Sequence, residues 1–133
     1  MARLKVDNQI VSHTQCKARL NSIADALFVI GGKWKLRIIV ALKEGNQRFN
    51  ELQRLVEGIS AKVLSTELQE LELNGFVRRN VFTSKPVVIE YELSEYAETL
   101  NEVLQALSEW GSMHRENVKK SMKNKTVEAG LRP

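Results

Sequence analysis

The stretch FNELQRLVEGISAKVLSTELQELELNGF, residues 49–76, decides the fold predicted for this chain. Its first part carries apolar residues at i, i+3 and i+7, the spacing of a short amphipathic helix: Phe49, Leu52 and Val56. That helix is expected to end near Gly58. Ser60 is a good N-cap for a second helix, which Gly75 would terminate from the C′ position. Two helices joined by a tight, glycine-containing turn are the signature of a helix-turn-helix.

The second predicted helix, residues 60–74, has two different faces, because a helix turns about 100° per residue. One stripe is apolar and is expected to face the core: Leu64, Leu68 and Leu71. The opposite stripe is polar and free of acids: Lys62, Ser65, Thr66 and Gln69. Glu67 and Glu70 fall on the flank between them. A helix entering the major groove of DNA needs such a stripe, because phosphates repel carboxylates and accept hydrogen bonds from Lys, Ser, Thr and Gln. A plain surface helix would also produce this pattern by chance.

A β-hairpin is predicted immediately after this helix. The segments FVRRNVF and VVIEYEL, residues 76–82 and 87–93, are rich in β-branched and aromatic residues and flank the turn-forming TSKP. Lys85 lies at the tip, where a basic wing would reach the DNA backbone or the minor groove. Arg78 and Arg79 alternate in direction, so at most one should point at DNA, and Arg79 is the candidate. Alternatively, both arginines only keep an edge strand soluble.

Helices are also predicted before residue 49. Residues 1–18 are polar and are interpreted as an arm, after which Ser22 would cap a short helix. A second helix would start at Trp34 and end at Gly45. With the hairpin added, the order of elements indicates a mainly α fold with a small β-hairpin wing, the winged helix-turn-helix. Three polar residues on and around the shorter helix are candidate phosphate contacts: Arg48, Asn50 and Arg54.

The last predicted helix begins after Ser94 and carries a wide apolar face: Leu100, Val103, Leu104, Leu107 and Trp110. Part of this face suits a second copy of the chain, so that two recognition helices would read two half-sites on a two-fold axis. The alternative is a helix that only closes the core of the monomer. The domain is expected to span residues 19–114, and residues 115–133 form a basic tail that frays.

Composition favours a nucleic-acid partner and argues against an enzyme. The 133 residues carry a net charge of +4, but residues 90–110 alone carry −6, which leaves +10 on the remainder. No apolar segment is long enough to span a membrane and no export signal is evident, so the cytoplasm is the expected location. No phosphate-binding loop or catalytic motif occurs, and His13 with Cys16 provides too few ligands for zinc. We therefore expect no metal and no cofactor.

Four motifs closely resemble the HxlR-type winged helix-turn-helix regulators of bacteria: IGGKW (30–34), RFNELQRLVEGIS (48–60), LSTELQELELNGFVRR (64–79) and IEYELSEYAETL (89–100). The resemblance covers about residues 21–114. It implies a homodimeric transcription factor in which residues 60–74 form the recognition helix and the hairpin around Thr83–Pro86 forms the wing. It also implies that the terminal helices form the dimer interface.

Two departures from that family concern sensing and the wing. Many members carry a sensing cysteine ten residues before the first glycine of the GGKW motif, where this chain has Asn21. Cys16 lies five residues earlier, with Lys17 and Arg19 nearby, so it is either a displaced redox sensor or an unreactive thiol. Val88 replaces a common basic residue of the wing, which leaves that contact to Lys85. The sequence determines neither the operator, the regulated genes, the sign of regulation nor an effector, whether small molecule or electrophile. A winged-helix module that binds protein or RNA is the alternative function.

Overall fold

The computed structural model describes residues 4–6 and 9–131, with side chains described for residues 12–125. The chain divides into two compact units, Met1–Tyr96 and Ala97–Pro133. The first unit contains β1 (Leu4–Val6), β2 (Gln9–Val11), α1 (His13–Ile30), α2 (Lys35–Leu42), β3 (Gln47–Arg48), α3 (Phe49–Leu55), α4 (Ala61–Leu73), β4 (Val77–Phe82) and β5 (Val88–Leu93). A 3-10 helix, Glu95–Leu100, leads into α5 (Asn101–Leu131). The fold is mainly helical with two small antiparallel sheets, one of β1 and β2 and one of β3, β4 and β5.

Helix α1 begins inside the segment that the sequence predicts to be an arm. Ser12 caps it, since its Oγ accepts a hydrogen bond from the backbone N–H of Gln15 at 3.2 Å. The Gln15 side chain in turn accepts from the backbone N–H of Ser12 at 3.0 Å, which completes a capping box. The local cap therefore starts the helix before the apolar pattern that predicts a start at Ser22. Ile30 is buried, but most large apolar side chains of α1 are exposed: Leu20, Ile23, Leu27 and Phe28.

The core of the first unit lies between α2, α3 and α4. Its buried apolar side chains follow the predicted helical spacing: Ile38, Ile39, Leu42, Leu52, Val56, Ile59, Leu64, Leu68 and Leu71. Gly58 has a φ of +86° in the turn between α3 and α4, and Gly75 has a φ of +83° after α4. The backbone N–H of Phe76 donates to the carbonyl of Leu71 at 2.9 Å, which gives α4 a Schellman termination.

The wing is a three-stranded sheet rather than the predicted two-stranded hairpin. Strands β4 and β5 pair antiparallel, and β3 pairs antiparallel with the other edge of β5, giving the order β3-β5-β4. Strand β3 has only two residues, too few for a strand pattern to appear in the sequence. The register places Arg79 opposite Tyr91 on one face and Arg78 opposite Glu92 on the other.

The second unit is dominated by α5. The predicted helix after Ser94 starts as the 3-10 segment, and α5 continues as a helix through residues that the sequence predicts to fray. Leu100 is buried and Leu104 is half-buried. Several large apolar side chains along α5 are exposed: Val103, Leu107, Trp110, Met113 and Val118. Among the described residues, no helix is both long and apolar enough to cross a membrane.

Candidate nucleic-acid interface

Helix α4 presents its polar stripe to solvent and its leucines to the core. Lys62, Ser65, Thr66 and Gln69 are all exposed, whereas Leu64, Leu68 and Leu71 are at most 1% exposed. Ser60 caps the helix, because its Oγ accepts a hydrogen bond from the backbone N–H of Val63 at 3.2 Å. The hydroxyl of Thr66 donates to the carbonyl of Lys62 at 3.2 Å. The stripe is therefore accessible along its full length.

The acidic flank of α4 is held by a cation from α2. The ammonium of Lys35 lies 2.8 Å from a carboxylate oxygen of Glu67 and 2.5 Å from one of Glu70. Burial by itself lowers the pKa of Lys35, but hydrogen bonds and charge attraction from both glutamates outweigh it and raise that pKa above its ordinary value. Lys35 is therefore a fixed positive charge at neutral pH.

A cleft separates the other flank of α4 from the wing. Its volume is about 360 Å³, and its walls are formed by Ser65, Leu68, Gln69, Glu72, Arg79 and Tyr91. The guanidinium of Arg79 forms no hydrogen bond or ion pair with any described residue, so it is available to a ligand. Glu72 follows Ser65 by seven residues and therefore lies almost in line with it along α4, so it brings one carboxylate to the end of the polar stripe, which the sequence analysis overlooked.

Arg78 has a different environment from Arg79, because Arg79 lines the cleft whereas Arg78 lies on the other face of the sheet. The Nε of Arg78 lies 3.2 Å from a carboxylate oxygen of Glu92, which is on the same face of the sheet as Arg78. Glu92 also accepts hydrogen bonds from the side-chain amides of Asn80 at 3.2 Å and Asn46 at 3.3 Å. The bonds from Asn80 and Arg78, in that order, lower the pKa of Glu92 below its usual value.

The remaining predicted contacts lie outside the cleft. Arg48 ends β3, and its backbone N–H donates to the carboxylate of Glu51 at 2.7 Å. Asn50 and Arg54 are exposed on α3. Arg54 also lines a second cavity of about 420 Å³ with Glu44, Gln47, Glu51 and Leu55. Lys85 is exposed in the turn between β4 and β5.

Of the predicted residues, Ser65, Gln69 and Arg79 meet in one cleft, whereas Arg48, Arg54 and Lys85 do not reach it. Sequence reasoning missed Tyr91 and Lys35. Counting the hairpin register back from the turn would have placed Tyr91 opposite Arg79. No pattern in the sequence pairs Lys35 with α4.

Cys16 lies in the first turns of α1 and is partly exposed. Within the described side chains, no group of three or more His, Cys, Asp or Glu residues is placed to hold a metal ion.

The three-helix core, the short helix-turn-helix segment and the sheet together define a winged helix-turn-helix protein. Comparison with known proteins narrows this class. The HxlR-like helix-turn-helix family matches residues 29–119, and the chain belongs to that family. The uncharacterised HTH-type transcriptional regulator YtcD of Bacillus subtilis is 44% identical over 93 residues, which are 70% of this chain and 74% of YtcD.

Solved structures agree with this family and fold. A crystal structure of the HTH-type regulator ytcD superimposes with a TM-score of 0.68 and 42% identity, covering 71% of this chain and 96% of that one. The redox regulator HypR in its reduced form gives a TM-score of 0.69 and 35% identity, covering 74% of this chain and 98% of HypR. The resemblance indicated by the four sequence motifs is thus confirmed, and the chain is a transcriptional regulator of the helix-turn-helix type.

Proposed function

We propose that the chain is a sequence-specific regulator that binds double-stranded DNA as a homodimer, with α4 in the major groove. The observation that carries this proposal is the exposed polar stripe of α4, which ends at a cleft containing the unpaired guanidinium of Arg79. The polar stripe and the guanidinium of Arg79 can both donate hydrogen bonds to an anionic ligand that is rich in acceptors. The major groove of DNA has that character and a width that admits one helix.

Within this arrangement, side chains on α4 divide into two roles. Ser60 and Lys62 lie at the N-terminal end, where the helix dipole and free backbone N–H groups favour phosphate. Ser65, Thr66 and Gln69 continue towards the base edges. The side-chain amide of Gln69 has one donor and one acceptor, which complement the acceptor and donor of adenine in the major groove. Lys62 can also donate to the acceptors of guanine.

The wing and α3 would supply contacts to the DNA backbone. Arg79 faces the same cleft as Gln69, so a phosphate seated there would adjoin the base contacts. Lys85 at the tip, residues 83–86, would reach the backbone or minor groove beside α4. Arg48, Asn50 and Arg54 are exposed and would hold phosphates on the other side of the helix-turn-helix.

Homodimer formation is supported by apolar surface that each unit leaves exposed. In the second unit, Val103, Leu107 and Trp110 are between 40% and 59% exposed, next to the half-buried Leu104 and the buried Leu100. In the first unit, α1 exposes Leu20, Ile23 and Leu27 at i, i+3 and i+7. Contiguous apolar patches on soluble proteins mark interaction sites. A two-fold dimer would place two recognition helices on half-sites about one turn of DNA apart.

The dimer can be tested with two neighbouring residues of α5. Leu107→Glu places a charge in the proposed interface, whereas Ser108→Glu adds the same charge at the next, exposed position. Sedimentation equilibrium should show a dimer for the wild type and for Ser108→Glu, and a monomer for Leu107→Glu. A monomeric wild type, or dimers in all three proteins, would contradict this assignment of the interface.

DNA recognition can be tested by selecting bound duplexes from a random pool. A palindromic site is expected, and it should be retained at a salt concentration that releases random duplex and RNA. Equal retention of RNA, or no enriched sequence, would favour the protein- or RNA-binding module. In gel shifts, Lys62→Glu should abolish binding to the selected site, whereas Lys120→Glu on α5, with the same change in charge, should not.

Redox regulation through Cys16 is a further candidate, favoured by the partial exposure of the thiol and by the likeness to the redox regulator HypR. Treatment with diamide should then release the wild type from its operator but leave Cys16→Ser bound. Equal responses of the two proteins would identify Cys16 as an ordinary thiol.

A further inference from the structure

Lys35 is the buried charged residue among the described side chains, and its position is unusual for a lysine. It is the first residue of α2, but its ammonium reaches across to α4 and contacts two carboxylates at once. The Glu67 side chain is 19% exposed and that of Glu70 is 50% exposed. The cation therefore bridges the core and the flank of the recognition helix.

The angular position of Glu70 explains why this bridge bears on DNA binding. At 100° per residue, Glu70 lies only about 40° around α4 from Thr66, which belongs to the polar stripe. A free glutamate at that angle can turn its carboxylate towards the stripe. Glu67 lies three residues earlier on the same flank, so the two carboxylates also repel each other. Both effects would place negative charge beside a polyanionic ligand.

Stability alone does not account for the arrangement. Removing charges from water is costly, and buried ion pairs are often no more stabilising than apolar residues of similar size. Apolar contacts already anchor α4, because Leu64, Leu68 and Leu71 are fully buried. Unlike those leucines, the ion pairs of Lys35 with Glu67 and Glu70 control the direction in which two carboxylates of α4 point.

We propose that Lys35 is a positioning residue of the DNA-contact surface, which neutralises Glu67 and Glu70 and holds them away from the polar stripe of α4. This inference rests on the proposed function in DNA binding. Lys35 itself touches no DNA in this role. It acts through the two glutamates, so it should be dispensable when they carry no charge.

The test compares four proteins: the wild type, Lys35→Met, Glu67→Gln/Glu70→Gln, and the triple variant Lys35→Met/Glu67→Gln/Glu70→Gln. Circular dichroism first establishes that each is folded at the assay temperature. Fluorescence anisotropy then measures affinity for the selected operator and for random duplex at one salt concentration. Lys35→Met should lose about tenfold in operator affinity, comparable to one mismatched base pair. The triple variant should recover to within about twofold of Glu67→Gln/Glu70→Gln.

The ratio of operator to random affinity distinguishes positioning from a general structural role. Displaced carboxylates beside the base-reading stripe should lower this ratio in Lys35→Met, and removing them should restore it. A folded Lys35→Met with wild-type affinity would overturn the proposal. So would a triple variant that binds tenfold more weakly than Glu67→Gln/Glu70→Gln, because Lys35 would then act without the glutamates.

Two further outcomes are also decisive. If Lys35→Met does not fold, the triple variant can still overturn the proposal, because binding tenfold weaker than that of Glu67→Gln/Glu70→Gln would show that Lys35 acts without the glutamates. If the wild type binds no duplex, the proposed function itself is wrong. Failure of the Lys35 proposal in a wild type that binds its operator leaves the proposed function intact.

Discussion

Replacing Arg79 and Arg78 separately by alanine gives a matched test of how the wing meets DNA. The two arginines are adjacent in β4 and have the same charge, but their side chains lie on opposite faces of the sheet. Arg79 lines the cleft beside Ser65 and Gln69, whereas Arg78 is paired with Glu92 at 3.2 Å. Only Arg79→Ala should weaken DNA binding.

The salt dependence of binding gives this prediction a magnitude. Each phosphate neutralised by a protein contributes a slope of about −0.9 to a plot of log affinity against log salt concentration. One Arg79 contact per protomer therefore contributes about −1.8 in a homodimer. Between 50 and 200 mM salt, the wild type should lose about tenfold more affinity than Arg79→Ala loses.

The assay is fluorescence anisotropy on a labelled operator at four or more salt concentrations. Arg78→Ala should retain the wild-type slope, because its guanidinium is directed away from the cleft and occupied by a carboxylate. The reasoning would be refuted if Arg78→Ala reduced the slope and Arg79→Ala did not, or if both reduced it equally. If Arg79→Ala changed the slope by only about 0.9, half of the expected change, only one protomer would be contacting a phosphate through Arg79.

Three other perturbations test separate parts of the molecule. Gln69→Ala should relax base preference at one position of the selected site more than it weakens binding to random duplex, and an unchanged preference would demote Gln69 to a phosphate contact or to no contact. Leu68→Ala, which deletes a side chain that is 1% exposed, should lower the free energy of unfolding in urea by about 2–5 kcal/mol; a smaller loss would mean that the site collapses around the deletion. The lowered pKa of Glu92 means that its contribution to stability is present above the ordinary pKa of a glutamate and is lost as pH falls through the lower native pKa. Thermal unfolding should therefore show a shallower decline in acid for Glu92→Gln than for the wild type, and parallel declines would exclude Glu92 as a source of the pH dependence.

The arrangement of charge around α4 explains how a helix with three glutamates can present a polar stripe suited to an anionic ligand such as the proposed DNA. Glu67 and Glu70 are held by Lys35 on one flank. On the other flank, Glu72 shares the cleft with Arg79. The two cations come from α2 and from β4, so two different elements supply positive charge beside the acids of α4.

The identity and order of the main elements were predictable from the sequence, because they depend on local signals. The side chain of Ser60 caps α4 by accepting from the backbone N–H of Val63. Gly75 ends the helix, and its backbone N–H donates to the carbonyl of Glu72. The leucine spacing decides which side of α4 is buried, since 3.6 residues per turn places i, i+4 and i+7 on one face. Four short motifs were enough to indicate the family that the comparisons then confirmed.

Other local features were predicted less well because their signals are weak. The capping box at Ser12 begins α1 in a segment with little apolar periodicity, and the two residues of β3 are too few to show alternation. The start of the last helix differs for a similar reason, since about 3.0 and 3.6 residues per turn are difficult to distinguish in a segment of only 6 residues.

Contacts between elements distant in the chain were decided only by the tertiary structure. Sequence spacing specifies the angle of a residue around its own helix, but it carries no information on which other element will face that residue. Lys35 is thus an unremarkable lysine in the sequence and becomes a buried partner of two glutamates only when α2 packs on α4. Likewise, Arg78 and Arg79 are equivalent until the sheet directs one towards Glu92 and the other into the cleft beside α4.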